Sequence, residues 1–162
     1  MRTLPSGFRV YSFYKYSEIE ELLKTKHTYI GSSIYKILAS YSFKYFANNF
    51  SFPSLVYALP IDDKIKSGYS HTAILANQIK SKSIKVKYSK LRATNDLSYS
   101  GKSLDYRLKN PRNFKYKFKK DVDIILIDDI VTSGTTINEA KNTILKNGSQ
   151  PLFAITLADA KI

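Results

Sequence analysis

The sequence predicts one α/β domain, a mostly parallel sheet flanked by helices. Three observations carry that expectation. The last third reads strand–helix–strand, with Val122 to Ile127 and Leu152 to Leu157 continuously apolar around a helix at about 136–147. Strands apolar on both faces belong to a sheet covered on both sides, and such units close by a right-handed parallel crossover. The chain has 162 residues, one ordinary domain's worth, and is 43% hydrophobic and 24% charged, a globular balance with enough length for a real core. No internal repeat or low-complexity linker divides it, so residues 1–162 are read as a single domain.

The elements follow in order. Phe8 to Tyr14 alternates in a strand-like way and is rich in aromatic and β-branched residues. Ser17 with Glu20 forms a capping-box pair, which predicts a helix from about residue 18. A second helical stretch, roughly 30–48, carries Ile34, Ile37, Leu38, Tyr41 and Tyr45 at helical spacing, read as a core stripe. Leu55 to Leu59 reads as a buried strand ended by Pro60, and a helix is expected at about 71–80. Ser83 to Tyr88 reads as a strand with lysines on its wet face, and 95–118 as a long loop or hairpin arm. In the last third, Asp128-Asp129 is expected to end the strand, Thr136 and Glu139 to cap the helix, and Gly148 to stop it.

Composition excludes several classes of function. With no cysteine there are no disulfides, thiolate metal sites or cysteine nucleophiles. No apolar run approaches the roughly 20 residues of a membrane span and no signal-peptide pattern opens the chain, so a cytoplasmic location is expected.

Charge is more informative. Lys+Arg is 26 against 13 Asp+Glu, a formal net charge of +13. Residues 80–120 hold fourteen basic and two acidic side chains, whereas residues 121–162 hold three basic and six acidic ones. The excess is local, which an overall compositional bias does not explain, and it creates a positive field suited to an anionic partner. Lysines spaced among Tyr88, Tyr99, Tyr106, Phe114, Tyr116 and Phe118 match the pairing of phosphate neutralisation with base stacking. Arg112, Lys115, Lys117, Lys119 and Lys120 are the candidate nucleic-acid contacts.

The chemistry concentrates in Ile124-Ile125-Leu126-Ile127-Asp128-Asp129-Ile130-Val131-Thr132-Ser133-Gly134-Thr135-Thr136. Ligands of open α/β sheets bind beyond the carboxyl ends of the strands, where the two acids fall. The following loop offers backbone N–H groups at a helix N-terminus and hydroxyls from Thr132, Ser133, Thr135 and Thr136, a combination suited to a phosphate monoester. Asp128 and Asp129 suit the vicinal hydroxyls of a ribose, and would help place a Mg²⁺ held mainly by phosphate oxygens, with no direct protein metal site implied. No Gly-Lys-Ser/Thr sequence occurs, which excludes a P-loop.

This segment resembles the phosphoribosyl-pyrophosphate (PRPP) loop of type I phosphoribosyltransferases: four apolar residues, two acids, two apolar residues, then Thr-Ser-Gly-Thr-Thr. Four further stretches are similar to the ComF/ComFC competence proteins of that class: Tyr11 to Tyr16 before an acidic helix, Ser67 to Ala73 leading into a helix, Lys90 to Thr94, and Arg107 to Asn110 with Phe114 after it. The resemblance implies a phosphoribosyltransferase-like fold, binding of PRPP with Mg²⁺ through Asp128, Asp129, Thr132, Ser133, Gly134, Thr135 and Thr136, and a cytoplasmic role in handling incoming single-stranded DNA alongside other DNA-processing proteins of competence. The alternative it implies is an active phosphoribosyltransferase acting on a nucleobase or related acceptor. The sequence departs from that family in having no four-cysteine zinc finger and no Arg at Ser67. Arg92 and Lys66 are the candidate pyrophosphate contacts in its place. A general base would most naturally be a histidine, and His71, more than His27, is the one to weigh, against a helix-capping or surface role that is the commoner one; no catalytic residue is assigned.

Overall fold

The computed structural model describes residues 1–61, 68–95 and 103–161. Lys64, Lys66, Ser67, Tyr99 and Gly101 therefore lie outside the described residues. The chain runs through β1 (Arg2–Thr3), β2 (Arg9–Lys15), α1 (Tyr16–Lys24), a 3₁₀ turn (Thr25–His27), α2 (Gly31–Tyr41), α3 (Phe43–Asn49), β3 (Val56–Pro60) and α4 (His71–Gln78). It continues through β4 (Ile84–Val86), β5 (Leu91–Ala93), α5 (Leu104–Lys109), β6 (Phe114–Tyr116), β7 (Asp123–Val131), α6 (Thr135–Lys146) and β8 (Gln150–Asp159).

A six-stranded sheet in the order β1-β2-β8-β7-β3-β4 forms the frame, parallel throughout except for the β1–β2 pair. The expected mostly parallel α/β architecture is thus what the chain adopts. The continuous apolar run of β7 has a simple cause: its residues alternate between two buried layers. Ile125 and Ile127 pack with Ile19, Tyr35, Leu38, Phe43 and Leu75 from the α1–α4 side. Ile124 and Leu126 pack with Leu4, Phe8, Leu91, Phe114, Ile137 and Ile144 from the α6 side.

Among the described residues of the basic segment, the hairpin alternative is the one the chain adopts. Its β5 and β6 form an antiparallel hairpin, with Leu91 opposite Tyr116, Arg92 opposite Lys115 and Ala93 opposite Phe114, and α5 lies between them in sequence. Glu139 ties this arm to α6, accepting from the backbone N–H groups of Arg112 at 2.9 Å and Asn113 at 2.6 Å. Glu139 therefore caps no helix. The N-cap of α6 is Gly134, at φ +81°, with no side-chain cap bond, and the helix starts at Thr135. Gly148, at φ +80°, ends it as expected, its N–H donating to the Leu145 carbonyl at 3.0 Å.

Pro60 is the last residue of β3, as expected, and lies opposite Ile127. Three other expectations are corrected. The acid pair does not end β7, because the ladder to β8 continues through Asp128 opposite Thr156 and Val131 opposite Asp159. Helix α1 begins two residues early: the Glu18 carboxylate, not Glu20, accepts from the Lys15 N–H at 2.9 Å. The 30–48 stretch breaks at Ser42, whose hydroxyl donates to the Leu38 carbonyl at 2.6 Å. The core stripe there is Tyr35, Leu38, Ala39 and Phe43, while Ile37 is 58%, Tyr41 76% and Tyr45 65% exposed.

Candidate functional site

Strands β3 and β7 are neighbours and parallel, so the segments leaving their carboxyl ends open at one edge of the sheet, where α4 and α6 begin. Side chains from distant parts of the chain (Arg2, Lys26, Tyr35, His71 and Arg107) reach that edge.

Asp129 is buried at its floor. Its Oδ1 accepts from the Ile130 N–H at 2.8 Å. Its Oδ2 faces Lys26 Nζ at 3.1 Å, His71 Nε2 at 3.4 Å and the Tyr35 hydroxyl at 3.4 Å. Burial alone would raise this carboxyl, but His71, Lys26 and the Ile130 N–H outweigh it and lower it to about 2. Burial, and then the charge of Asp129, push Tyr35 up, so its hydroxyl stays protonated and donates. The cluster is tightly placed. Tyr69 donates to the Lys26 carbonyl at 2.6 Å, and a Cβ at Gly31 would collide with the Thr25 carbonyl and the Tyr69 hydroxyl. Asp128 is half-buried and its Oδ1 accepts from the Asp129 N–H at 2.9 Å.

The loop after β7 forms the second half of the site. Gly134 takes its left-handed turn against Leu4, where a Cβ would strike the leucine side chain. Ser133 and Thr135 hydroxyls lie 2.8 Å apart. Arg107, from α5, donates to Thr132 Oγ1 at 2.5 Å and toward Ser133 Oγ at 3.4 Å. Arg2 fixes the loop from below, bridging the Thr132 carbonyl at 2.8 Å and the buried Asp159 at 2.8 Å. The first turn of α6 holds no acid, so a guanidinium and the positive end of a helix dipole converge on the same hydroxyls. Two like charges brought together this way favour an anion between them.

Residues 9–161 match the family model PRTase-CE. The chain belongs to the PRTase-CE family. A segment of 42 residues, 26% of the chain and 21% of the relative, is 40% identical to "Transcriptional regulator GfcR" of Methanosphaera stadtmanae. Among solved structures, the PRTase-CE chain is similar to two crystal forms of a hypoxanthine phosphoribosyltransferase from Staphylococcus aureus, at 14% and 12% identity and TM-scores of 0.46 and 0.48. Each match covers 79% of this chain and 64% of that one. The chain thus spans about a fifth of the curated relative and just under two thirds of these structures.

Of the residues singled out in the sequence, the fold of this PRTase-CE chain brings together Asp128, Asp129, Thr132, Ser133, Gly134, Thr135, Thr136 and His71. Arg92 lies instead on the exposed face of the β5–β6 hairpin, opposite Lys115. Lys115, Lys117, Lys119 and Lys120 are exposed, whereas Arg112 is buried at 9% and adds nothing to that surface. The candidate stacking aromatics are largely engaged elsewhere. Phe114 is in the core, Tyr116 donates to the Lys119 carbonyl at 2.6 Å, and Phe118 packs edge-on to Tyr57 with centroids 5.0 Å apart. Lys26, Tyr35 and Arg2 carry no local motif. Arg107 stands out only within the ComF-like stretch. Among the described residues no three His, Cys, Asp or Glu side chains converge as a metal centre, and no helix is long and apolar enough to cross a membrane.

Proposed function

We propose that this PRTase-CE chain binds PRPP or a closely related phosphosugar. The observation that carries the reading is the convergence of Arg107 with the acid-free start of α6 on the Thr132 and Ser133 hydroxyls, beside two aspartates at the carboxyl end of the same strand. The 5′-phosphate fits the loop formed by Thr132, Ser133, Gly134, Thr135 and Thr136, and Asp128 stands on the ribose side. A Mg²⁺ fits the donor set only as a companion of the ligand: Asp129 is fully engaged, so phosphate oxygens, water and at most Asp128 would hold the ion. Bound there, it would neutralise charge on the diphosphate. Calorimetric titration of PRPP with Mg²⁺ tests this. Saturable one-site binding is expected, and heat no greater than dilution would contradict it.

A second reading concerns the basic arm. Arg92, Lys115 and Lys117 project from one exposed side of the hairpin, which favours contact with a nucleic-acid backbone, as in the ComF-like handling of incoming single-stranded DNA in the cytoplasm with DNA-processing partners. Oligonucleotide affinity that falls steeply with salt supports it, and salt-independent or absent binding contradicts it.

The His71–Asp129 pair favours catalysis as the alternative, because a carboxylate orients an imidazole at the same edge. In that reaction the C1–oxygen bond to pyrophosphate breaks, an acceptor nitrogen bonds C1, and the acceptor's proton leaves to a base. Pyrophosphate release in the presence of a nucleobase acceptor is the readout.

A further inference from the structure

The first residues of the chain lie at the far edge of the sheet, yet they hold both ends of the loop after β7. Strand β1 pairs with β2 through Arg2 and Thr3, and β2 and β8 separate it from β7. The chain then turns back, the Leu4 N–H donating to the Phe8 carbonyl and the Gly7 N–H to the Leu4 carbonyl, each at 2.8 Å. From this edge Arg2 Nη1 donates to Oδ1 of Asp159, the last residue of β8, at 2.8 Å. Its Nη2 donates to the Thr132 carbonyl, where the loop begins, also at 2.8 Å. Where the loop ends, buried Leu4 occupies the space that a side chain at Gly134 would need, its Cδ2 2.4 Å from where a Cβ would stand.

Folding strength does not account for this arrangement. The Arg2 side chain is 15% exposed and that of Asp159 1%, and Arg2 Nε and Asp159 Oδ2 are both buried with no hydrogen-bond partner. Taking an ion pair out of water is costly when part of each group stays unsatisfied, and an apolar pair of similar size is often as stable or more so. What the pair secures is a direction. A guanidinium anchored on Asp159 turns the Thr132 carbonyl toward β1, while the Thr132 and Ser133 hydroxyls face Arg107. It also meets the partial negative charge of that carbonyl with a cation, which favours an anion in the same loop.

Resting on the PRPP reading, we infer that Arg2 is a positioning residue for the 5′-phosphate. It acts through Thr132 and not by contact with the ligand. Asp159 orients the guanidinium, the guanidinium fixes Thr132, and Leu4 fixes the turn at Gly134, so the loop is formed before an anion arrives. A preformed loop spares the cost of ordering it on binding, and the gain falls in affinity, not in the stability of the fold.

The test titrates the full chain with ribose 5-phosphate beside a thermal melt of each variant. Arg2→Met combined with Asp159→Leu replaces the ion pair by apolar side chains of similar size. Its melting temperature should equal or exceed that of the wild type while its affinity falls about tenfold. Arg2→Lys keeps a charge opposite Asp159 but offers one nitrogen where two are used, so it should melt like the wild type and bind about fivefold more weakly. Affinity within about twofold of the wild type in the double variant overturns the inference, as does a loss seen only where the melting temperature also collapses. If the double variant does not fold, Arg2→Lys decides by the same criterion. A wild-type chain that does not bind ribose 5-phosphate overturns the PRPP reading itself, and the inference with it.

Discussion

Arg107 Nη1 lies 2.5 Å from Thr132 Oγ1, so a side chain of the basic arm enters the loop that begins α6. Twenty-five residues separate them, and the contact joins the basic segment 80–120 to the net acidic segment 121–162. Glu139 makes a second link, from α6 to the backbone of Arg112 and Asn113. The loop that begins α6 and the placement of the hairpin are therefore physically connected.

Replacing Arg107 tests the anion cradle. Arg107→Ala should weaken ribose 5-phosphate by roughly tenfold, the scale of one charge-assisted hydrogen bond, with circular dichroism unchanged. Arg107→Lys should restore only part of it, because an ammonium lacks the planar, bidentate set of donors that a guanidinium offers a phosphate. Undiminished affinity in Arg107→Ala would remove this residue from the site.

Acid stability follows from Asp129. Its carboxyl is lowered from 3.8 to about 2 on folding, so the ionised form supports the native state. That support is complete above about pH 4 and declines as pH falls toward 2, a change of about 2 kcal/mol. Urea midpoints between about pH 7 and pH 2 should show the decline, and Asp129→Asn should flatten it. A midpoint independent of pH in this range would contradict the pairing with Lys26 and His71.

Gly31→Ala should destabilise the chain by about 1–3 kcal/mol, because the new methyl meets the Thr25 carbonyl and the Tyr69 hydroxyl. The Tyr69 hydroxyl also anchors the Lys26 carbonyl beside Asp129, so PRPP affinity should fall further than the melting temperature alone predicts. Thermal melts beside titrations separate the two effects.

For the hairpin, Arg92→Ala, Lys115→Ala and Lys117→Ala together should lower the salt slope of single-stranded DNA binding by about 2, roughly 0.7 for each phosphate no longer neutralised. An unchanged slope would remove this face from any DNA interface. Phe114→Ala is not a stacking test, because that ring is buried and its removal would damage the core.

The parallel sheet and the hydroxyl-rich loop after β7 are legible in the sequence because both are local. An unbroken apolar strand, paired acids and a hydroxyl-rich turn lie within 13 consecutive residues, from Ile124 to Thr136. The end of β7 is not legible, because two acids look like a strand terminus, while its true length depends on pairing with Thr156 and Asp159, set by the tertiary fold. The stripe Ile37, Tyr41, Tyr45 has helical spacing but lies on the outward side, since the break at Ser42 and the packing of Tyr35 and Phe43 decide which face is buried. Lys26 is hidden for a related reason. A lysine in a turn has no motif, and only the fold carries it across 103 residues to Asp129.

The most direct measurement is calorimetric titration of PRPP with Mg²⁺ into the wild-type chain and into Asp128→Asn. One-site binding by the wild type is expected, with affinity lowered by about 10–100-fold in the variant, the scale of hydrogen bonds to a charged group. Equal affinity in both, or no binding by the wild type, would contradict the phosphosugar site.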